Sequence, residues 1–437
     1  MRRIRATATV SVAILIVGLG ALPAWGATAG TRRVSIATGG GEGGKGSYQP
    51  SITADGRFVA FSSEAPDLVA GDDNSTTDVF VRNLRTGRTR RVSISTGGAQ
   101  GSDRSYGPSI SADGRFVAFH SYASNLIERD DNRAIDVFVR DRLRGRTARV
   151  SVGRKGAERA LGGSSPSISS DGRHVAFASA NGDAGTSYGA KDYIFVRDRR
   201  LGKTTQVSVA SDGAEANKTS LVPSISATGR YVAFISYASN LVAGDTNRAR
   251  DAFVHDRRGG VTTRASVATG GTEANGLTRE ASISPDGRYV AFTGFASNLV
   301  AGDDNGYEDI FVRDLAGGLT TRVSVTTGGT EANAGSGEPA ISAGGRFVTF
   351  YSYATNLVGV DDNRFDEDVF MRDLGATPRT TRVSVATAGA QGNNRSFVSD
   401  VSADGRFVTF DSFASNLVAA DTNRAEDIFV RGPLAPQ

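Results

Sequence analysis

A chain of 437 residues, 39% hydrophobic and 22% charged, is long enough to bury a large core, and its formal charge of +4 shrinks to 47 basic against 46 acidic side chains once Arg2, Arg3 and Arg5 of the N-terminal leader are set aside. So even a balance gives no global electrostatic argument for nucleic acid. Cys is absent, which excludes disulfide staples, thiolate metal sites, a cysteine nucleophile and a lipid-modified Cys anchor.

Residues 1–29 read as a signal peptide: a basic start from Met1 to Arg5, an apolar run through Val10, Ile14, Ile16 and Leu19, and small residues at Ala24, Gly26, Ala27 and Ala29 that suit cleavage. The run is short for a spanning helix. Export to a secreted or periplasmic location follows, with no membrane span after cleavage.

From residue 31 to residue 431 one unit repeats. Its landmark is a hairpin turn at Gly56, Gly114, Gly172, Gly229, Gly287, Gly345 and Gly405, each followed by Arg, at intervals of 58, 58, 57, 58, 58 and 60 residues. Such self-similarity marks one supersecondary element used again and again, which leaves no room for a second domain in that span. In chain order, Thr31 to Thr38 (TRRVSIAT) alternates polar and apolar residues as a half-buried strand does. A Gly-rich loop follows, then a short PSIS-type strand, a two-residue Asp-Gly turn, a second strand of the RFVAF type, a polar loop, and a third strand of the DVFVR type. Four antiparallel strands in each of seven units predict an all-β, seven-bladed β-propeller. We label the strands a (PSIS), b (RFVAF), c (DVFVR) and d (TRRVSV) from the channel outward. The chain enters on a d strand and leaves on a c strand at Asp427 to Arg431, so residues 32–37 should complete the last blade and close the ring, leaving 432–437 as a tail.

The core Pro108 to Phe119, PSISADGRFVAF, followed by DVFVRD at Asp136 to Asp141, resembles the TolB-type, WD-like β-propeller repeat across residues 31–431. The resemblance implies the fold. It implies no single activity, because such propellers occur in translocation-complex proteins, lyase domains and peptidase-associated domains. A peptidase of the prolyl oligopeptidase type would need an additional α/β-hydrolase domain.

Strand parity places the a-b and c-d turns on one face of the disc and the longer b-c and d-a loops on the other, so the loop face is the expected functional face. On it an Asp-x-Asn step followed by Asp recurs: Asp72, Asn74 and Asp78; Asp130, Asn132 and Asp136; Asp245, Asn247 and Asp251; Asp303, Asn305 and Asp309; Asp421, Asn423 and Asp427. The sixth unit carries it with one extra residue, as Asp361, Asn363 and Asp368, and the third lacks it. Oxygen donors so spaced suit Ca2+, with Glu215, Glu273 or Glu331 of the d-a loop as additional donors. Asx-turns that bind the start of strand c explain the same residue types.

Aromatics end strand b at Tyr122, Tyr237, Phe295, Tyr353 and Phe413, where packing between blades is expected. Arg follows strand c at Arg82, Arg140, Arg197, Arg313, Arg372 and Arg431, beside Asp such as Asp141, and is expected in rim ion pairs. His120, His174 and His255 fall at unrelated repeat positions without a paired nucleophile. The third unit breaks the pattern most, with Tyr188 and Lys191 as candidate partner contacts. The sequence thus reads as an exported, monomeric propeller binding a protein or extracellular polymer through its loop face. The alternative is a polysaccharide lyase or glycoside hydrolase working at the channel mouth.

Overall fold

Strands b and c are apolar almost throughout because both of their faces are covered. In the first blade every residue of strand b (Phe58–Ser63) after Phe58 is buried, and so is every residue of strand c (Asp78–Asn83) before Asn83. The outer strand d (Arg88–Arg91) keeps only Thr89 buried. The computed structural model describes residues 29–153, 162–180, 191–363 and 366–434. Its strands form seven four-stranded antiparallel sheets, each ordered a-b-c-d, so the predicted propeller is the observed fold. The core lies between blades: Ala60, Val79 and Val81 of blade 1 pack with Val117, Phe119 and Phe138 of blade 2. Within each blade a Phe of strand b stacks on one of strand c, from Phe61 on Phe80 to Phe410 on Phe429, at centroid distances near 5.8 Å.

Ring closure takes the expected form with a shifted register. The N-terminal strand is Gly30–Arg33, shorter and earlier than residues 32–37, and pairs antiparallel with Asp427–Gly432. It ends early because the chain turns into a narrow loop bridged by Ile36 and Glu42. Part of the expected tail is structural: Leu434 packs against the last blade and its N–H donates to the Arg406 carbonyl at 2.7 Å.

The a-b turn is not a two-residue loop. Thr53 and Phe58 close a four-residue connection in which Gly56 N–H donates to Thr53 O at 2.9 Å, and Asp55 Oδ1 accepts from Thr53 Oγ1 and Arg57 N at 2.7 and 2.9 Å. Gly56 has φ +68°, and a Cβ there would lie 2.3 Å from the Phe407 ring of the preceding blade. The same contact joins Gly114 to Phe58 and Gly405 to Phe347, which explains why the turn scarcely varies. Leu84 N–H of the c-d turn donates to Arg57 O of the a-b turn at 2.9 Å, while Asn74 of the b-c loop reaches Gly101 O of the d-a loop at 3.0 Å. The two faces are therefore composed as parity requires.

Candidate functional site

The Asp-x-Asn loops form clasps on the outer part of the loop face, and each clasp already holds a cation. Asn74 Oδ1 accepts from Thr76 N in an Asx-turn, and its Nδ2 donates to Asp78 Oδ2 at 2.9 Å; Asn132, Asn247 and Asn423 repeat the contact with Asp136, Asp251 and Asp427 at 2.8, 2.9 and 3.1 Å, and Asn305 with Asp309 at 3.4 Å. The last Asp does not bind amides directly: Ser93 Oγ donates to Asp78 and accepts from Val79 N at 3.1 Å. Between the carboxylates lies an arginine from strand d. Arg91 sits 3.0 Å from Asp72 and 3.2 Å from Asp78; Arg149 pairs with Asp130 and Asp136, and Arg382 with Asp361 and Asp368. Three clasps gain a Glu from the d-a loop: Arg33 with Glu42, Asp421 and Asp427; Arg264 with Asp251 and Glu273; Arg322 with Asp303, Asp309 and Glu331. In these three, the carboxylate oxygens, Asp245 being the third in the cluster of Arg264, come within 4.8 Å of one another. The donors match a hard cation in kind, but the guanidinium stands in their midst. Blade 3 shows that acid and arginine form one unit, since Tyr193 stands opposite Ser179, where Asp251 stands opposite Ser236, and Gln206 replaces the arginine.

Nearer the axis on the same face, the repeat breaks down. Strand a, Ser47–Ile52 in blade 1, slips register against strand b between Tyr48 and Ser51, and the residue in the place of Gln49 leaves the ladder with positive φ at Gln49, Gly107, Ser165, Val222 and Glu338. Glu280 and Val398 hold the same place in blades 5 and 7. Beside this column lies another at the end of strand b: Ser62, His120, Ala178, Ile235, Thr293, Tyr351 and Asp411. Neither column keeps a residue type.

Blades 5 to 7 make this mouth acidic. Glu308, Glu367 and Glu426 stand at blade seams, their carbonyls accepting from Ser336, Ser396 and Ser47 N–H at 2.8, 2.7 and 2.7 Å. Glu308 pairs with Arg279. Asp411 is 1% exposed; its Oδ2 accepts from Gln49 N at 3.1 Å and its Oδ1 has no partner. Glu338 Oε2 and the buried Glu367 Oε2 likewise lack a hydrogen bond, although the Tyr353 hydroxyl bonds to the Glu367 carboxylate. Burial, reinforced by Glu280, pushes Glu338 up to about 7, and burial lifts Glu426 to about 7 against the pull of Arg395. Asp411 is raised by burial and then by Glu426 and Glu338.

Blades 1 and 2 make the mouth aromatic. The Tyr48 hydroxyl meets Thr77 Oγ1 at 3.0 Å, and Tyr106 packs edge-on against His120 at 4.2 Å and lies 6.3 Å from Tyr122. The strand-b aromatics are not inter-blade packing as expected: Tyr122, Tyr237, Phe295 and Tyr353 are 41 to 47% exposed, because they lie one residue beyond the strand, past the edge of the neighbouring blade. The arginines after strand c are not rim ion pairs either. Arg82 crosses to blade 7 and donates to Ile36 O at 2.9 Å, and to Thr89 Oγ1 at 2.7 Å, with burial drawing it down to about 10. The rim acids pair instead with the turn arginines, as Asp141 does with Arg115 through two hydrogen bonds of 3.0 and 2.7 Å.

His120 is buried and depressed to about 4 by burial; His174 lies 3.4 Å from Asp198, and His255 Nδ1 meets Thr262 Oγ1 at 2.8 Å. Lys191 is exposed directly before strand c of blade 3. Tyr188 lies outside the described residues, as does the leader. A Gly-x-Ser-x-Gly string at residues 185–189 falls in the same stretch, and no strand–turn–helix elbow occurs among the described residues. Toward the turn face the channel holds a cavity of about 240 Å³ lined by Ser51, Ser109, Ser167 and Ser282. Asp400 takes the serine's place in blade 7 and accepts from Ile52 N at 2.9 Å.

No protein-family model matches the chain, and no curated protein matches it. Solved structures do. The propeller domain of the Trilobed protease from Pyrococcus furiosus, which has an open velcro topology, aligns with 12% identity and a TM-score of 0.53 over 88% of this chain and 95% of that one. An oligogalacturonate lyase from Vibrio parahaemolyticus aligns with 14% identity and a TM-score of 0.52 over 88% and 89%. TolB from Acinetobacter baumannii aligns with 11% identity and a TM-score of 0.40 over 77% of this chain, which spans 63% of that protein. At these identities the shared feature is the β-propeller fold. Among the described residues no helix is long and apolar enough to cross a membrane.

Proposed function

We propose that the protein is an exported, monomeric binding scaffold whose partner, a protein or an extracellular polymer, docks on the loop face at the channel mouth. The observation that carries this reading is the coincidence, on one face, of four large exposed aromatics with carboxylate oxygens that are buried and unpartnered. Such groups cost stability and are kept where they meet something else. The test is retention of a component of extracellular or envelope material on the immobilised mature protein. Retention lost in the double variant Tyr122→Ala/Tyr353→Ala and kept in Arg115→Ala on the turn face supports the reading, and the reverse pattern overturns it.

A second reading, a polysaccharide lyase or glycoside hydrolase at the mouth, draws on Glu338 and Glu426, whose raised affinity for protons suits a general acid. Release of reducing ends or unsaturated products from a polysaccharide panel, abolished by Glu338→Gln, distinguishes it from the scaffold. Ca2+ enters the proposal only at the three Glu-bearing clasps, and only by displacing the guanidinium there.

A further inference from the structure

We propose that the acidic half of the mouth receives a protonated amine on a flexible chain, either a lysine side chain of the partner or a free polyamine, with Glu338 and Asp411 as the groups that hold it. The inference rests on the mouth being the binding site. It names the chemistry the mouth selects.

Three observations point to an organic cation. The first is the unpartnered oxygen on Asp411, which is 1% exposed at the seam of blades 7 and 1, together with the free Oε2 of Glu338. A buried carboxylate without a partner is among the most costly groups a fold can retain, and a cation relieves that cost. The second is that cations of the chain itself are engaged elsewhere. Arg279 pairs with Glu308, Arg395 lies over the rings of Phe397 and Phe413 at 5.7 and 5.6 Å and acts on Glu426, and Arg250 lies over Tyr237 at 5.5 Å. The charges acting on Glu338 and Asp411 are those of Glu280, Glu426 and Glu338 itself. The third is spacing. Among the described residues, the carboxylates close enough together to surround a small ion are those of the rim clasps. The mouth acids are spread over blades 5, 6 and 7 at successive seams, which fits charges carried along a chain rather than one ion. Tyr351 and Tyr353, 6.1 Å apart and edge-to-face, flank the acids, and their rings favour an ammonium group as well.

Proton linkage gives a signature that a merely structural cluster lacks. Glu338 holds its proton up to about 7, in surroundings that include Glu280, Glu308, Glu367, Asp411, Tyr351 and Tyr353 with Arg250, Arg279 and Arg395. An ammonium group binds the ionised form, so binding below neutrality must expel protons, and affinity must rise with pH through that range.

The experiment is calorimetric titration of the mature protein with spermidine and, separately, with an end-blocked trilysine peptide, near pH 6.5, in buffers of differing ionisation heat. The expected result is a binding heat that varies with the buffer in the sense of proton release. Glu338→Gln and Asp411→Asn should each weaken binding about tenfold or more, while Arg115→Ala on the turn face leaves it unchanged. The tighter of the two amines identifies the source. Absence of binding by both amines overturns the inference, as does equal binding by wild type and both folded variants. Glu280→Gln serves if one of these variants does not fold. Should amines fail while an extracellular component is still retained through Tyr122 and Tyr353, the scaffold reading stands and only the amine is wrong; if both fail, the reading itself falls.

Discussion

The rim and the mouth of the loop face are built by the same loops and the same strand ends, yet they treat charge in opposite ways. At the rim, six clasps repeat one solution: two or three carboxylates closed around an arginine, with Asn and Ser filling the remaining hydrogen bonds. At the mouth, the residues differ from blade to blade, and Glu338, Glu367 and Asp411 keep oxygens without partners. Within a repeat protein, the positions that recur hold the ring together, and those that break the repeat while retaining buried charge are the ones free to serve a ligand.

The sharpest break of that comparison removes a clasp together with its strand. Deleting residues 30–36 takes away both the outer strand of the last blade and Arg33, exposing the edge of Asp427–Gly432. Aggregation or loss of cooperative unfolding, followed by light scattering on heating, is the expected outcome. A milder break is Arg322→Gln, which copies blade 3 and leaves Asp303, Asp309 and Glu331 clustered without their cation. Removing one partner of such a buried network should cost about 3–5 kcal/mol in denaturant unfolding. The vacated cluster then has the donors for Ca2+, so millimolar Ca2+ should restore part of the loss in the variant while leaving the wild-type melting temperature unmoved.

At the mouth the sign reverses. The Glu338 carboxyl keeps its proton up to about 7 in the folded protein, against 4.5 ordinarily. Between those values the folded state binds more protons than the unfolded chain, so stability falls as pH rises, and the full penalty is present above the higher value. Glu338→Gln should therefore match wild type near pH 4 and exceed it by about 2 kcal/mol near pH 8, an amount reduced for partial exposure. The smallest effect is expected at Lys191, an exposed residue directly before strand c of blade 3, where Lys191→Ala should change stability by less than about 0.5 kcal/mol.

The fold was legible because every blade repeats the apolar strands, and ring closure followed from the order of strands at the two ends. The clasps were half legible. The Asp-x-Asn loops are plain in the sequence, but the arginine that fills them stands 13 residues after the last Asp in blade 1, from Asp78 to Arg91, and only the strand pairing brings the two together. Gln206, in the unit that also lacks the Asp pattern, was the available signal. The arginines after strand c misled because Arg82 projects across to a neighbouring blade rather than toward the rim. The channel mouth was named, but its acids were missed since Glu338 and Asp411 look unremarkable among 46 acidic residues. Comparing repeats column by column would have singled out the place of Gln49 in strand a and the end of strand b, but burial of Asp411 depends on blade 1 closing over it.

The claim that recurring charge is structural and non-recurring buried charge is functional is tested most directly by unfolding Asp309→Asn and Asp411→Asn side by side at neutral pH. Asp309 accepts from Ser324 and lies 3.5 Å from Arg322, so the amide should set donor against donor and lower stability by about 2–3 kcal/mol. Asp411→Asn keeps an acceptor for Gln49 N and removes a buried carboxyl whose charged form burial, Glu426 and Glu338 all disfavour, and should raise the midpoint of unfolding. If Asp411→Asn destabilises the protein as much as Asp309→Asn does, the mouth carboxylate is part of the framework and the distinction between the two regions is contradicted.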